Sequence, residues 1–212
     1  VSRARDVLLY GANQSPELFA LLEWSKSTDG VAFSAPDPHR LQLEHWIWSN
    51  RDSLGCDVLD VGVIERREYF GRGYVTFGEC AEDVRGDLCA LPFPDATFDG
   101  VVLTEVLEHC QDPMTAAREV CRVLRPGGLA LVTSPFFWPW HGTHEYKDYW
   151  RFTHEGWALV LSPFVDVSIT PCAWTPEAEA AYDIMRRFEC FGFNHQTSAT
   201  TGYLCTARKA AA

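Results

Sequence analysis

Gly100-Val101-Val102-Leu103-Thr104 and Leu129-Ala130-Leu131-Val132-Thr133 decide the fold. Both are short, almost continuously apolar runs. Between them lies a helix-patterned stretch from Pro113 to Leu124, with Ala116, Ala117, Val120, Val123 and Leu124 on one side. It stops at Pro126-Gly127-Gly128, a helix breaker followed by turn residues. A strand that is apolar on both faces has no solvated side. Strands of this kind alternating with helices therefore specify a parallel sheet buried between helical layers. Upstream, Val58-Leu59-Asp60-Val61-Gly62 and Tyr74-Val75-Thr76-Phe77 read as two more strands, and residues 165–173 and 203–208 add two downstream.

Working outward, residues 38–54 carry Leu43, Trp46, Ile47 and Leu54 near one helical face. Ser15-Pro16-Glu17 reads as an earlier helix start, with Ser as cap and Pro at the first helical position. Residues 1–54 are therefore expected to form an N-terminal helical accessory segment. Residues 55–212 form the α/β domain, with an insertion at about 175–200 over the sheet edge.

Composition narrows the function. Eighteen basic side chains face 29 acidic ones, a net charge of −11. A generic nucleic-acid binder needs a basic footprint, so this balance argues against nucleic acid as a partner. No apolar run reaches the roughly 18 residues of a membrane helix and no signal-peptide pattern is present, so the expectation is a cytoplasmic protein with no membrane partner. The 8 cysteines form no C-x-x-C pair, which sets aside a zinc ribbon or a disulfide framework. Of the 8 Trp, four (Trp138, Trp140, Trp150 and Trp157) fall in one stretch.

In an open α/β sheet, ligands bind beyond the carboxyl ends of the strands. Asp60 and Gly62 end the first strand. Asp87 and Leu88 follow the second, inside Gly86-Asp87-Leu88-Cys89-Ala90-Leu91-Pro92-Phe93, and Thr104 closes the third, ahead of Glu105, Glu108 and His109. Gly62 lets backbone approach a ligand closely. The fourth strand leads into a ring-rich loop that also carries His141, His144 and Asp148. Aromatic faces suit sugar rings, flat aglycones or a cation. His144 or His141 can act as general base on a hydroxyl, a role that suits histidine as a residue type, with Asp148 orienting it. Arg151 can bind an anionic substrate or pair with a nearby acid to hold the loop, and Arg118, Arg122 and Arg125 read as a solvated helix face.

The order of these motifs resembles a known family. The run from Asp87 through Leu-Pro-Phe-Pro-Asp-Ala-Thr-Phe-Asp to Thr104-Glu105-Val106-Leu107-Glu108-His109, then Arg122-Val123-Leu124-Arg125-Pro126-Gly127-Gly128, looks like the class I S-adenosylmethionine-dependent methyltransferases. Within them it is most similar to the type 11 methyltransferase domain, over roughly residues 56–165. The resemblance implies a Rossmann-like fold with helices on both faces. It implies a seven-stranded, mostly parallel sheet with the last strand antiparallel, and S-adenosylmethionine lying across the strand ends. Donor contacts then fall on Asp60, Gly62, Glu79, Asp87, Leu88 and Thr104. Glu79 stands one place after the position where the family carries its ribose acid, and it reads equally as a solvated turn carboxylate.

The first motif departs from the family pattern. Gly-x-Gly-x-Gly is expected, but Gly62 is followed by Val63-Ile64-Glu65-Arg66. Either a less glycine-rich loop still binds the donor, or the chain is a non-catalytic binding or regulatory relative. Glu105, Glu108 and His109 form an E-x-x-E-H triplet. It resembles one that binds a divalent metal in small-RNA 3′-terminal methyltransferases and some ubiquinone-pathway O-methyltransferases. A further ligand would then come from His141, His144 or Asp148. The triplet reads also as an ordinary helix entry, and on that reading no metal is assigned. Asp-Tyr-Trp-Arg-Phe-Thr resembles type 11 members of sugar and cell-surface glycan pathways. The expected function is methyl transfer to a hydroxyl of a small molecule, sugar or glycan, with His144, His141 and Asp148 on the acceptor side.

Overall fold

The protein is represented by a computed structural model that describes residues 38–62, 66–70, 73–78, 83–144, 146–172 and 201–211. The helix pattern at 38–54 folds as α1 (Pro38–Asn50), continued by a 3-10 turn at Arg51–Ser53. Among the described residues six strands follow: β1 (Val58–Val61), β2 (Tyr74–Phe77), β3 (Phe98–Thr104), β4 (Leu124–Pro135), β5 (Val165–Pro171) and β6 (Gly202–Arg208). Between them lie α2 (Arg67–Phe70), α3 (Pro113–Val123) and α4 (His154–Val160).

The sheet order is β2-β1-β3-β4-β6-β5. β1 pairs in parallel with β2 and β3, and β3 with β4, while β6 runs antiparallel to both β4 and β5. The Rossmann-like mixed sheet and its antiparallel last strand agree with expectation. The seventh strand is not found among the described residues, where Val84 makes only an isolated parallel bridge to Phe77 beyond β2.

Alternation along each strand sorts the side chains between two helical layers. Leu59, Val61, Val101, Leu103, Ala130 and Val132 pack with α3 and α4 around the fully buried Trp157. Val58, Val102, Leu129 and Leu131 face the other way and pack with Ile47 of α1. Parity then places Asp60, two residues after Val58, and Thr104, two after Val102, on the α1 face. Asp112 caps α3 by accepting from Thr115 N at 3.0 Å, with Pro113 behind it, and the Thr153 hydroxyl caps α4 by accepting from Gly156 N at 3.1 Å. The breaker at residues 126–128 ends the helix but not the regular structure. β4 begins directly at Leu124 and runs through it.

Candidate active site

Gly62 and Gly78 lie side by side at the carboxyl ends of β1 and β2, and Gly62 N donates to Phe77 O at 3.0 Å. Gly62 has φ +135°, which side chains rarely adopt, and a Cβ there would stand 3.3 Å from Val106 Cγ2. A Cβ on Gly78 would stand 3.3 Å from the Gly62 carbonyl oxygen. Asp87 is exposed on the neighbouring loop, and its Oδ1 accepts from Cys89 N at 2.8 Å to cap the turn Leu88–Ala90. Leu88 is buried. Glu79 lies outside the described residues.

Asp60 and Thr104 do not present free side chains at the strand ends. Arg66, at the position of the third glycine in the family pattern, is fully buried and folds onto the α1 face. Its Nη1 donates to both Asp60 oxygens at 3.0 Å, its Nη2 and Nε to Glu44 at 2.9 and 3.0 Å, and its Nη2 also to Thr104 Oγ1 at 3.1 Å. The Tyr74 hydroxyl donates to Asp60 Oδ2 at 2.6 Å and accepts from Arg66 N at 2.5 Å. Burial works against the charge on Arg66, but Asp60 and Glu44 outweigh it and hold its pKa above the usual value. Burial pushes the Asp60 carboxyl upward, against the pull of Arg66 and Tyr74. Sequence reading missed this hub. A missing glycine signals nothing about where the longer side chain goes, and Glu44 is 22 residues away in the chain.

A second cluster forms where the segments after β3 and β4 meet. Glu105 leaves β3 with φ +55° and accepts from Thr133 Oγ1 at 2.8 Å. Glu108 is fully buried, and neither carboxylate oxygen has a hydrogen-bond partner. Burial, and then the nearby Glu105 charge, push its carboxyl up to about 8. His109 Nε2 lies 3.8 Å from Glu108 Oε1 and 3.2 Å from His141 Nε2. Burial lowers the pKa of His109.

Asp148 pairs with Arg151 at 2.5 and 2.8 Å, accepts from His141 N at 2.9 Å, and has an oxygen 3.2 Å from His141 Nδ1. The Arg151 hydrogen bonds hold its carboxyl down near 2. Arg151 thus takes the structural of its two readings. His144 is exposed. The loop's aromatics divide. Trp157 is core, whereas Trp138, Trp140 and Trp150 are 48%, 72% and 41% exposed, with Trp150 Nε1 donating to Cys110 O at 2.8 Å.

Arg122 and Arg125 are not the solvated face that spacing suggested. Arg122 clamps Glu119, Asp95 and the carbonyls of Leu91 and Phe93, and Arg125 bridges Asp57 and Asp99. Arg118 donates to Thr115 Oγ1 at 2.7 Å.

Against known proteins, residues 53–132 match the type 11 family described as a methyltransferase domain. The ubiquinone/menaquinone biosynthesis C-methyltransferase UbiE of Hahella chejuensis is 40% identical over 79 residues, 37% of this chain and 29% of that protein. The demethylmenaquinone methyltransferase of Mycolicibacterium gilvum is 33% identical over 117 residues, 52% of this chain and 49% of that one. The chain thus spans about half or less of the curated relatives it matches. A crystal structure of a SAM-dependent methyltransferase from Archaeoglobus fulgidus superposes with TM-score 0.55 at 17% identity, covering 81% of this chain and 94% of that one, which is a likeness of fold. The motif run and residues 53–132 thus resemble the type 11 methyltransferase domain, carried on a mixed sheet with the fold of a class I S-adenosylmethionine-dependent methyltransferase.

Proposed function

We propose that this protein transfers a methyl group from S-adenosylmethionine to an oxygen-bearing small molecule. The observation that carries the reading is the pair of bare glycine backbones, Gly62 and Gly78, at adjacent strand ends, with the exposed Asp87 on the loop that follows β2. A nucleoside can lie across such a surface without meeting a side chain, and Asp87 can accept from its amino group. Leu88 backs that loop, and Glu79 is the candidate for the ribose hydroxyls. Asp60 and Thr104 are positioning residues, because they act through Arg66, which anchors the end of the loop that follows Gly62.

The donor's methyl carbon is already electrophilic, so the protein mainly supplies orientation, water exclusion and deprotonation. A lone pair of the acceptor oxygen forms the new bond to carbon. The carbon–sulfur bond breaks, and its electron pair returns to sulfur as a neutral thioether. The hydroxyl proton passes to solvent or to a loop histidine, His144 or His141, with Asp148 orienting His141. The exposed Trp138 and Trp140 offer ring faces to a sugar or flat acceptor.

Calorimetric titration with S-adenosylmethionine tests the donor site. Wild type is expected to bind, and Gly62→Ala to bind at least about tenfold more weakly, because its Cβ strains the backbone and crowds Val106. No wild-type binding at millimolar donor would favour the non-catalytic reading. The names of the two quinone-pathway relatives support a second reading, transfer to a ring carbon. Isotope-labelled methyl donor with phenol, sugar and quinol acceptors separates the two, since the carbon shift of the product reports whether oxygen or carbon received the methyl.

A further inference from the structure

We propose that Glu108, His109 and His141 bind a divalent transition-metal ion whose open position takes the acceptor oxygen. The first clause stands on the cluster alone. The second rests on the methyl-transfer reading above.

Which ring nitrogens carry hydrogen decides what the two imidazoles can hold between them. His109 Nδ1 lies 2.6 Å from the Lys147 carbonyl oxygen, an acceptor only, so the hydrogen of the neutral ring sits there. His141 Nδ1 faces the Pro139 carbonyl and Asp148 Oδ2, both at 3.2 Å. Arg151 Nη2 also approaches it, at 3.4 Å, but that nitrogen already donates to Asp148 Oδ2 at 2.8 Å and Pro139 O at 3.1 Å. Both rings therefore turn a bare Nε2 lone pair inward, and the two Nε2 atoms are 3.2 Å apart. Two lone pairs at that distance repel unless an electrophile lies between them.

The distance itself identifies the electrophile. Two nitrogens bound at the usual 2.0–2.1 Å to one tetrahedral ion stand about 3.3–3.4 Å apart. Glu108 supplies the second, independent observation. Its buried carboxylate points into the same place with both oxygens unpartnered. A buried carboxylate in that state is costly unless a proton or a cation meets it, and it is placed to receive either. One ligand atom from each of the three residues lies within 4.8 Å of the others.

The surroundings are those of a built site. A carbonyl or carboxylate holds each Nδ1, and Arg151 in turn pins Asp148. Such outer partners fix ligand orientation. Two imidazoles with one carboxylate favour zinc, cobalt, iron or manganese over magnesium or calcium. Three protein ligands leave at least one position open, the pattern of a reactive site rather than a structural one. With the ion in place, an acceptor hydroxyl bound to it becomes more acidic and loses its proton to solvent. The competing occupant is a proton shared between the two imidazoles.

Titration of the metal-free chain with Co²⁺, followed by visible absorption and calorimetry, distinguishes them. One Co²⁺ per chain is expected, with the absorption of a four- or five-coordinate ion and a rise in thermal midpoint. His109→Ala and His141→Ala should abolish the signal, Glu108→Gln should weaken it at least about tenfold, and His45→Ala, on the exposed side of α1, should leave it intact. Near-UV circular dichroism confirms that each variant is folded. No stoichiometric binding, or binding that survives both His variants, overturns the site. If Co²⁺ binds but methyl transfer is unchanged by chelation, the ion's role toward the acceptor is overturned while donor binding and transfer stand.

Discussion

Arg66 carries a full charge where no water reaches it, and it is tolerated because two carboxylates, a threonine and a tyrosine converge on it. Desolvating those charges costs several kcal/mol, which the geometry must return. Removing the guanidinium leaves the Asp60 and Glu44 carboxylates buried without their shared cation. Arg66→Met is accordingly expected to destabilise the fold by about 3–5 kcal/mol, read as a lower urea midpoint with unchanged slope. A loss below about 1 kcal/mol would mean that the carboxylates find other partners. Glu105 is the other residue under constraint, with φ +55° at the end of β3, a conformation that costs a non-glycine residue about 1–3 kcal/mol. That strain sits beside the Glu108 and His109 cluster, where a ligand would be positioned.

The elements are tied at the end of the sheet opposite the site by charge as well as by packing. Asp99 of β3 accepts from Cys56 N and Asp57 N at 3.2 and 3.1 Å, and Arg125 of β4 pairs with both Asp99 and Asp57. The Arg125 hydrogen bond and then the two backbone donors hold the Asp99 carboxyl below its ordinary value of 3.8. A carboxyl depressed in the folded state contributes stability above its unfolded value and loses it as pH falls through the folded one. Stability should therefore drop below about pH 4, and Asp99→Asn should both lose about 1 kcal/mol at pH 7 and flatten that acid drop. Urea unfolding of the two proteins at pH 7 and pH 3 measures it, and parallel losses would exclude Asp99 as a contributor. The same element logic explains why the Pro126-Gly127-Gly128 breaker stops α3 without a gap. Gly127 turns the chain with φ +79° while its backbone pairs with Lys209 beyond β6.

Across the whole molecule, α1 belongs physically with the sheet. Leu43 and Ile47 are fully buried, and Glu44 completes the Arg66 hub. We expect a chain beginning at residue 55 to lose cooperative unfolding, whereas one beginning at residue 38 retains it. Equal thermal transitions would show residues 38–54 to be a dispensable accessory. Burial on both faces made β1, β3, β4 and α3 legible in sequence, because an apolar run between helix signals has only one stable environment. The motif run from Asp87 to Gly128 likewise carried the family resemblance, and Gly62 marked the end of β1. Pairing of Arg151 with a nearby acid was one of its two readings from sequence, and the structure makes that acid Asp148, three residues away. Sequence left Arg66 as a departure from a glycine pattern and His109 open between a helix entry and a metal ligand, because their partners are set by strand parity and by loops that meet only in the folded chain. His141 lies 32 residues from His109, and no periodicity connects them. Sequence by itself determined an α/β sheet, a resemblance to methyltransferases and the stretches of chain that end its strands. Only the tertiary structure decided which polar side chains face each other there, since local pattern fixes the environment a residue needs, whereas pairing at hydrogen-bond distance depends on the packing of elements far apart in the chain.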